Sequence, residues 1–233
     1  MFDRGPSGVS LQGFGLLILA YMGGRVVLGS VPFSDLPALN LFAAMGLTLI
    51  LVGFVVHGLR QRGQINIQGL GLVSARGHWY ALAIPATLGT LILVDMASRF
   101  ISQASQEEIQ AWNTALVFNS NGGEMVLSLL TLCLFAPVLE EFIFRGALFG
   151  VLVVRLGALW ALILSALIFA VAHTGVLASV TVLVDQLLLI LALMIIGMVA
   201  GLMRYFSGSL YPAIALHAFY NASLYILSMS QFS

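Results

Sequence analysis

Charged side chains are scarce in this chain: only 8% of its 233 residues are Asp, Glu, Lys or Arg, against about 25% in a soluble domain. Lysine is missing altogether, and arginine supplies all 9 basic residues against 9 acidic ones, for a net charge of +0. A neutral chain without basic clusters offers nothing to a polyanion, so no nucleic-acid partner is expected. The single cysteine, Cys133, excludes an intrachain disulfide and reads as a small buried core residue. No polar stretch is long enough to fold as a separate soluble domain, and no segment repeats at a fixed period. No small-residue cleavage site follows the first apolar run, so Leu11 onward is expected to be a retained span. What remains is apolar, 61% hydrophobic with a mean hydropathy of +1.07. That composition belongs to an integral, multi-pass membrane protein, expected in a prokaryotic inner membrane with the lipid bilayer as its surroundings.

Runs long enough to cross a bilayer are Leu11–Leu28, Ala38–Leu59, Trp79–Ala97, Met125–Val154, Ala158–His173, Thr181–Met203 and Leu210–Ser228. The fourth is too long for one straight helix, and Pro137 is expected to kink or split it. The fold class is therefore all-α, a polytopic bundle of about 7–8 transmembrane helices. Arg60–His78 reads as a cytoplasmic linker or interfacial strip. Ser98–Gly123, with Glu107, Glu108 and Trp112, reads as an amphipathic surface segment ending in a turn. Residues 1–123 are expected to hold the N-terminal spans and that amphipathic segment, and 124–228 the catalytic core, within one structural bundle. Arg4, Arg60, Arg62, Arg76, Arg155 and Arg204 fall on alternate connections, which puts the N-terminus in the cytoplasm. Arg25 and Arg99 dissent, and Arg99 is expected to pair with Asp95 four residues earlier.

Against this background Glu140 and Glu141 stand out, since an acidic residue at a span centre costs about 2.5–3.5 kcal/mol and is a functional candidate by default. Glu141 and Arg145 are spaced i,i+4, where opposite charges meet on a helix. Glu140 points about 100° away and has no cation on its own helix, which leaves it free to act as a general base or acid. His173 lies as far beyond the turn at Arg155–Gly157 as Glu140 lies before it. In a helical hairpin both sit roughly 23 Å from that turn, level in the membrane. Phe169, one turn before His173, would wall the site from lipid. His217 and Asn221 share a face of the last span, and both side chains donate hydrogen bonds of the kind that hold an oxyanion in peptide hydrolysis. Singly, each has an ordinary structural explanation: an interhelical hydrogen bond, an ion pair, helix glue. Together they are hard to explain as packing.

Glu-Glu-x-x-x-Arg (140–145), Phe-x-x-x-His (169–173) and His-x-x-x-Asn (217–221), in that order, resemble the CPBP or Abi family. These are CAAX prenyl endopeptidases and bacteriocin-processing intramembrane proteases. Phe144-Arg145-Gly146, Gln186, Gly197/Gly201 and Ser207-Gly208-Ser209-Leu210 agree with it, and the likeness covers roughly Glu124–Ser228. The resemblance implies an intramembrane endopeptidase acting on a membrane-associated or lipidated peptide or protein. In it Glu140 with His173 would activate water, His217 and Asn221 would support the oxyanion, and Glu141, Arg145 and Phe169 would shape the site. The other reading is a non-catalytic membrane protein such as a bacteriocin immunity or scaffold protein. A proton-coupled transporter using Glu140 and Asp185 has no transporter-type repeat behind it.

Whether a metal takes part is open on sequence. Glu140, His173 and His217 make a His₂Glu set of the kind that holds catalytic zinc, but the chain lacks His-Glu-x-x-His. The expectation is a metal-free, glutamate-type site with no cofactor, a divalent metal such as zinc being the alternative. One conflict follows from the lengths: His217 lies only about 12 Å from the turn before its span. Either Ser207–Pro212 enters the membrane or the span limits are wrong.

Overall fold

A computed structural model describes residues 8–25, 36–101, 122–173 and 183–229. The expected amphipathic segment with Glu107, Glu108 and Trp112 lies outside them, as do the side chains of Arg99 and Asp185. The described residues form helices α1 (Leu11–Gly23), α2 (Pro37–Gln61), α3 (Gly77–Ile101), α4 (Gly122–Leu156), α5 (Ala158–Val171), α6 (Leu183–Ser207) and α7 (Tyr211–Met229). Among these residues the only β-type pairing is an isolated bridge between Val9 and Ile65. Helices are the forced outcome for such a sequence, because a lipid-facing backbone must satisfy its own polar groups. Helices α2, α3, α4 and α6 contain segments long and apolar enough to cross a membrane. Their outward faces carry large apolar side chains such as Phe54 (77% exposed) and Ile50 (69%), a surface stable against lipid and unstable against water.

Helix α4 is the central element, packed against α1, α2, α5, α6 and α7. Pro137 neither splits nor ends it. The turn before the proline, Thr131–Phe135, widens into a π-helical register in which the Ala136 N–H donates to Thr131 O. A second π-helical stretch, Phe142–Leu148, follows the two glutamates. Such widened turns concentrate at functional sites. At Gly157 the chain reverses with φ +82, a left-handed conformation that a residue with a Cβ would resist. The reversal lays α5 antiparallel on α4.

The connection 62–76 is exposed along much of its length, as an interfacial linker would be, but it is anchored at its middle. Leu70 has no exposed area, and the segment is tied in by Leu210 N–H to Gly71 O (2.7 Å), Ser209 Oγ to Val73 O (2.6 Å) and Arg204 Nη2 to Gly69 O (2.9 Å). A Cβ placed on Gly146 would lie 3.3 Å from Leu70 O and 3.6 Å from the Leu210 side chain. The α6–α7 turn therefore sits level with Gly146, about 15 Å along α4 from the α4–α5 turn. This stagger removes the conflict in lengths, because α7 begins deep enough for His217 to reach the level of Glu141.

Candidate active site

Glu140 and Glu141 are 4% and 0% exposed, side by side on α4. Glu141 Oε1 accepts from Arg145 Nη1 at 3.0 Å and from His217 Nδ1 at 2.9 Å. Arg145 is itself fully buried, its guanidinium carbon 4.2 Å from the centroid of the Phe169 ring. One ion pair through Nη1 and a π face compensate part of its lost hydration, while Nε and Nη2 are buried without a hydrogen-bond partner. Gly197 makes the space: a Cβ there would fall 2.8 Å from Arg145 Nη2 and 3.2 Å from the Ala166 backbone. Gly197→Ala is accordingly expected to push Arg145 off Glu141 and destabilise the fold by about 1–3 kcal/mol. A lowered denaturation midpoint in detergent would show it, and an unchanged midpoint would contradict the packing described.

Phe169 is inside the site rather than a wall toward lipid. Only 1% exposed, it meets the rings of His173 (4.6 Å), Phe144 (5.3 Å) and His217 (5.7 Å).

Glu140 Oε2 lies 3.5 Å from His173 Nε2 and 3.9 Å from His217 Nε2. The far nitrogens of both rings are committed. His173 Nδ1 is 2.8 Å from Phe169 O, and His217 Nδ1 is bonded to the Glu141 carboxylate. Those oxygens only accept, so each Nδ1 carries its hydrogen, and in the neutral form of each ring Nε2 presents a lone pair. Three acceptors thus converge: a carboxylate oxygen and two imidazole nitrogens. The separations suit a donor of two protons between them better than direct contact.

Asn221 has a second task. In the π register, Leu132 O would look for the N–H of residue 137, and Pro137 has none. Asn221 Nδ2 donates to Leu132 O at 2.8 Å instead. Asn221→Ala strands that carbonyl and is expected to cost about 1–3 kcal/mol. Asn221→Asp, which cannot donate when ionised, is expected to match that loss in an unfolding titration. Wild-type stability in both would refute the capping role.

Two residues escaped sequence reasoning. Arg25, just past α1, places Nη1 3.3 Å from Glu140 Oε1 and donates from the same nitrogen to Tyr21 Oη at 2.7 Å. Glu140 lacks a cation on its own helix but receives one from α1. The available signal was the refusal of Arg25 to fit the arginine tally. Next to these groups lies a cavity of about 280 Å³, lined by Arg25, Glu140, His173, His217 and Asn221 among mostly apolar side chains. Among the described residues no group of three or more His, Cys, Asp or Glu is arranged to hold a metal ion.

Residues 122–223 match the Rce1-like family model, described as type II CAAX prenyl endopeptidase Rce1-like. That stretch contains every site residue except Tyr21 and Arg25. An Escherichia coli protein described as an uncharacterized 24.3 kDa protein is 26% identical over 145 residues, 60% of this chain, and the chain spans 62% of that relative's length. No solved structure matches significantly. Residues 122–223 are thus similar to the type II CAAX prenyl endopeptidases of the Rce1-like family.

Proposed function

We propose that this protein is an intramembrane endopeptidase that cleaves a membrane-associated or lipidated polypeptide with a water molecule held by Glu140 and His173. The observation that carries the reading is the convergence of Glu140 Oε2 and the two Nε2 atoms beside the cavity. A water there donates one hydrogen to Glu140 and one to His173, keeping a lone pair for the scissile carbonyl carbon. On attack Glu140 takes the proton, the C–N bond breaks as that proton passes to the departing amine, and acid and amine products remain. The carbonyl oxygen turns into an oxyanion facing the second amide hydrogen of Asn221. His217, its Nδ1–H held by Glu141 in the way a buried carboxylate backs a catalytic histidine, also donates to that oxygen from Nε2 when it has taken up a proton from solvent before the substrate binds.

The reaction is proposed to need no metal. Arg25 already supplies a positive charge at Glu140 Oε1. An inner-membrane location in a prokaryote fits the bundle and its arginine distribution.

Cleavage-site profiling tests both parts. Purified protein in liposomes is presented with a library of hydrophobic membrane peptides, and cuts are mapped by mass spectrometry for wild type and His173→Ala, with and without a chelator. Cuts that vanish in His173→Ala and persist under chelation are expected. Cuts independent of His173 would favour a non-catalytic role. Loss on chelation with recovery on added zinc would refute the metal-free mechanism.

A further inference from the structure

Helix α1 lies outside residues 122–223, yet Tyr21 on it and Arg25 just beyond it reach the active site. Glu140 offers two carboxylate oxygens. The torsion that turns them is broad and roughly two-fold, so the side chain alone does not decide which oxygen meets the histidines. In the structure the oxygens are divided: Oε1 is 3.3 Å from Arg25 Nη1, and Oε2 is 3.5 Å from His173 Nε2. Arg25 is held in turn by Tyr21, one helical turn earlier. Its Nη1 donates to Tyr21 Oη at 2.7 Å, and its guanidinium carbon is 5.6 Å from the Tyr21 ring centroid. Tyr21 has no exposed area. Its ring meets Phe144 edge-on at 5.8 Å, Phe144 meets Phe169 at 5.3 Å, and Phe169 lies against His173 at 4.6 Å. The contacts close a loop: from Tyr21 through Arg25 to Glu140, across to His173, and back through two phenylalanines.

Taking the peptidase reading as its basis, we infer that Tyr21 and Arg25 are positioning residues for the hydrolysis, and that α1 is a working part of the active site. Arg25 fixes the plane of the Glu140 carboxylate so that Oε2 is the oxygen that takes the proton from water. Tyr21 fixes Arg25 and, through the ring contacts, braces His173 against the same support. A general base must lie within hydrogen-bond reach of the proton it removes, and a misplacement of about 1 Å can cost 10²-fold in rate. A guanidinium suits this task because its donors lie in one rigid plane. An ammonium on a flexible stem would supply the charge without setting the plane. The Arg25 nitrogen that meets Glu140 is shared with Tyr21, so its loss acts on the chemical step and appears in kcat rather than in KM.

Arg25→Met, Arg25→Lys and Tyr21→Phe test this in liposomes, each beside a denaturation curve. Arg25→Met is expected to lower kcat about 10²-fold and to leave KM within about threefold of wild type. Tyr21→Phe, which loses a single hydroxyl, is expected to lower kcat about tenfold, and Arg25→Lys to stay at least about tenfold below wild type. A second readout needs no turnover. The infrared stretch of the Glu140 carboxylate, isolated by subtracting the spectrum of the matching Glu140→Gln protein, is expected to leave its wild-type frequency in Arg25→Met and in Tyr21→Phe. An unmoved band, a loss confined to KM, or a kcat within about threefold of wild type in both Arg25→Met and Tyr21→Phe would each overturn the inference. Full activity in Arg25→Lys would overturn it too, by showing that charge alone suffices. If Arg25→Met fails to fold, Tyr21→Phe carries both readouts. If wild type cleaves nothing, the peptidase reading falls while the infrared band still decides whether Arg25 orients Glu140, so the two failures are separable.

Discussion

Glu140→Gln is expected to lower the rate of peptide cleavage by about 10²–10⁴-fold, the range that removal of a positioned general base produces. The substitution keeps size and shape. It removes the charge that accepts a proton from water and the ion pair with Arg25 at 3.3 Å. The fold should survive it, because the Arg25 side chain is 32% exposed and remains solvated when its partner turns neutral. Initial rates measured in liposomes, beside a denaturation curve, separate the two effects. A cleavage rate within tenfold of wild type would show that Glu140 does not activate the water. A protein that unfolds on substitution would show that the Arg25 pair is structural after all.

Arg145→Met should act in the opposite way, through stability first. Arg145 and Glu141 have side chains 0% and 1% exposed, and removing one partner of a fully buried pair leaves an uncompensated charge. The expected loss is about 3–5 kcal/mol. Methionine is flexible enough to occupy the space against Phe169, so a cavity is a minor part of the effect. Combining it with Glu141→Gln removes both charges and should return part of the loss, since the damage comes from the stranded carboxylate and not from the missing attraction. Reversible unfolding in mixed micelles measures all three variants. A single variant within about 1 kcal/mol of wild type would mean that water reaches Glu141, contrary to the burial described.

Local geometry was the part of the site most legible in the sequence. Equal distances of Glu140 and His173 from the Gly157 turn place them level, and in the structure they stand 3.5 Å apart. That inference needed only the rise of a helix and a tight reversal. The Glu141–Arg145 contact followed in the same way from i,i+4 spacing. Helix limits were likewise readable to within a few residues, and four of the expected spans are long and apolar enough to cross a membrane. What could not be read was anything that depended on how distant elements stack. Arg25 reaches Glu140 only because α1 packs beside the second π stretch of α4. His217 reaches Glu141 only because the α6–α7 turn is sunk to the level of Gly146, and no run length reports depth. The 62–76 connection reads as a linker or interfacial strip because its polarity is averaged, and the insertion of Leu70 within it is invisible to that average. Asn221 showed its donor character in the sequence, but its bond to Leu132 O depends on a π register that Pro137 makes necessary.

Single-turnover cleavage in ¹⁸O-labelled water tests most directly whether the three converging acceptors hold the attacking water. Enzyme in excess over peptide, quenched after one turnover, should yield a product whose new carboxylate carries one ¹⁸O, with no label in Glu140. Label retained on Glu140, with an unlabelled product carboxylate, would mean that the glutamate itself attacks the peptide and would contradict the account.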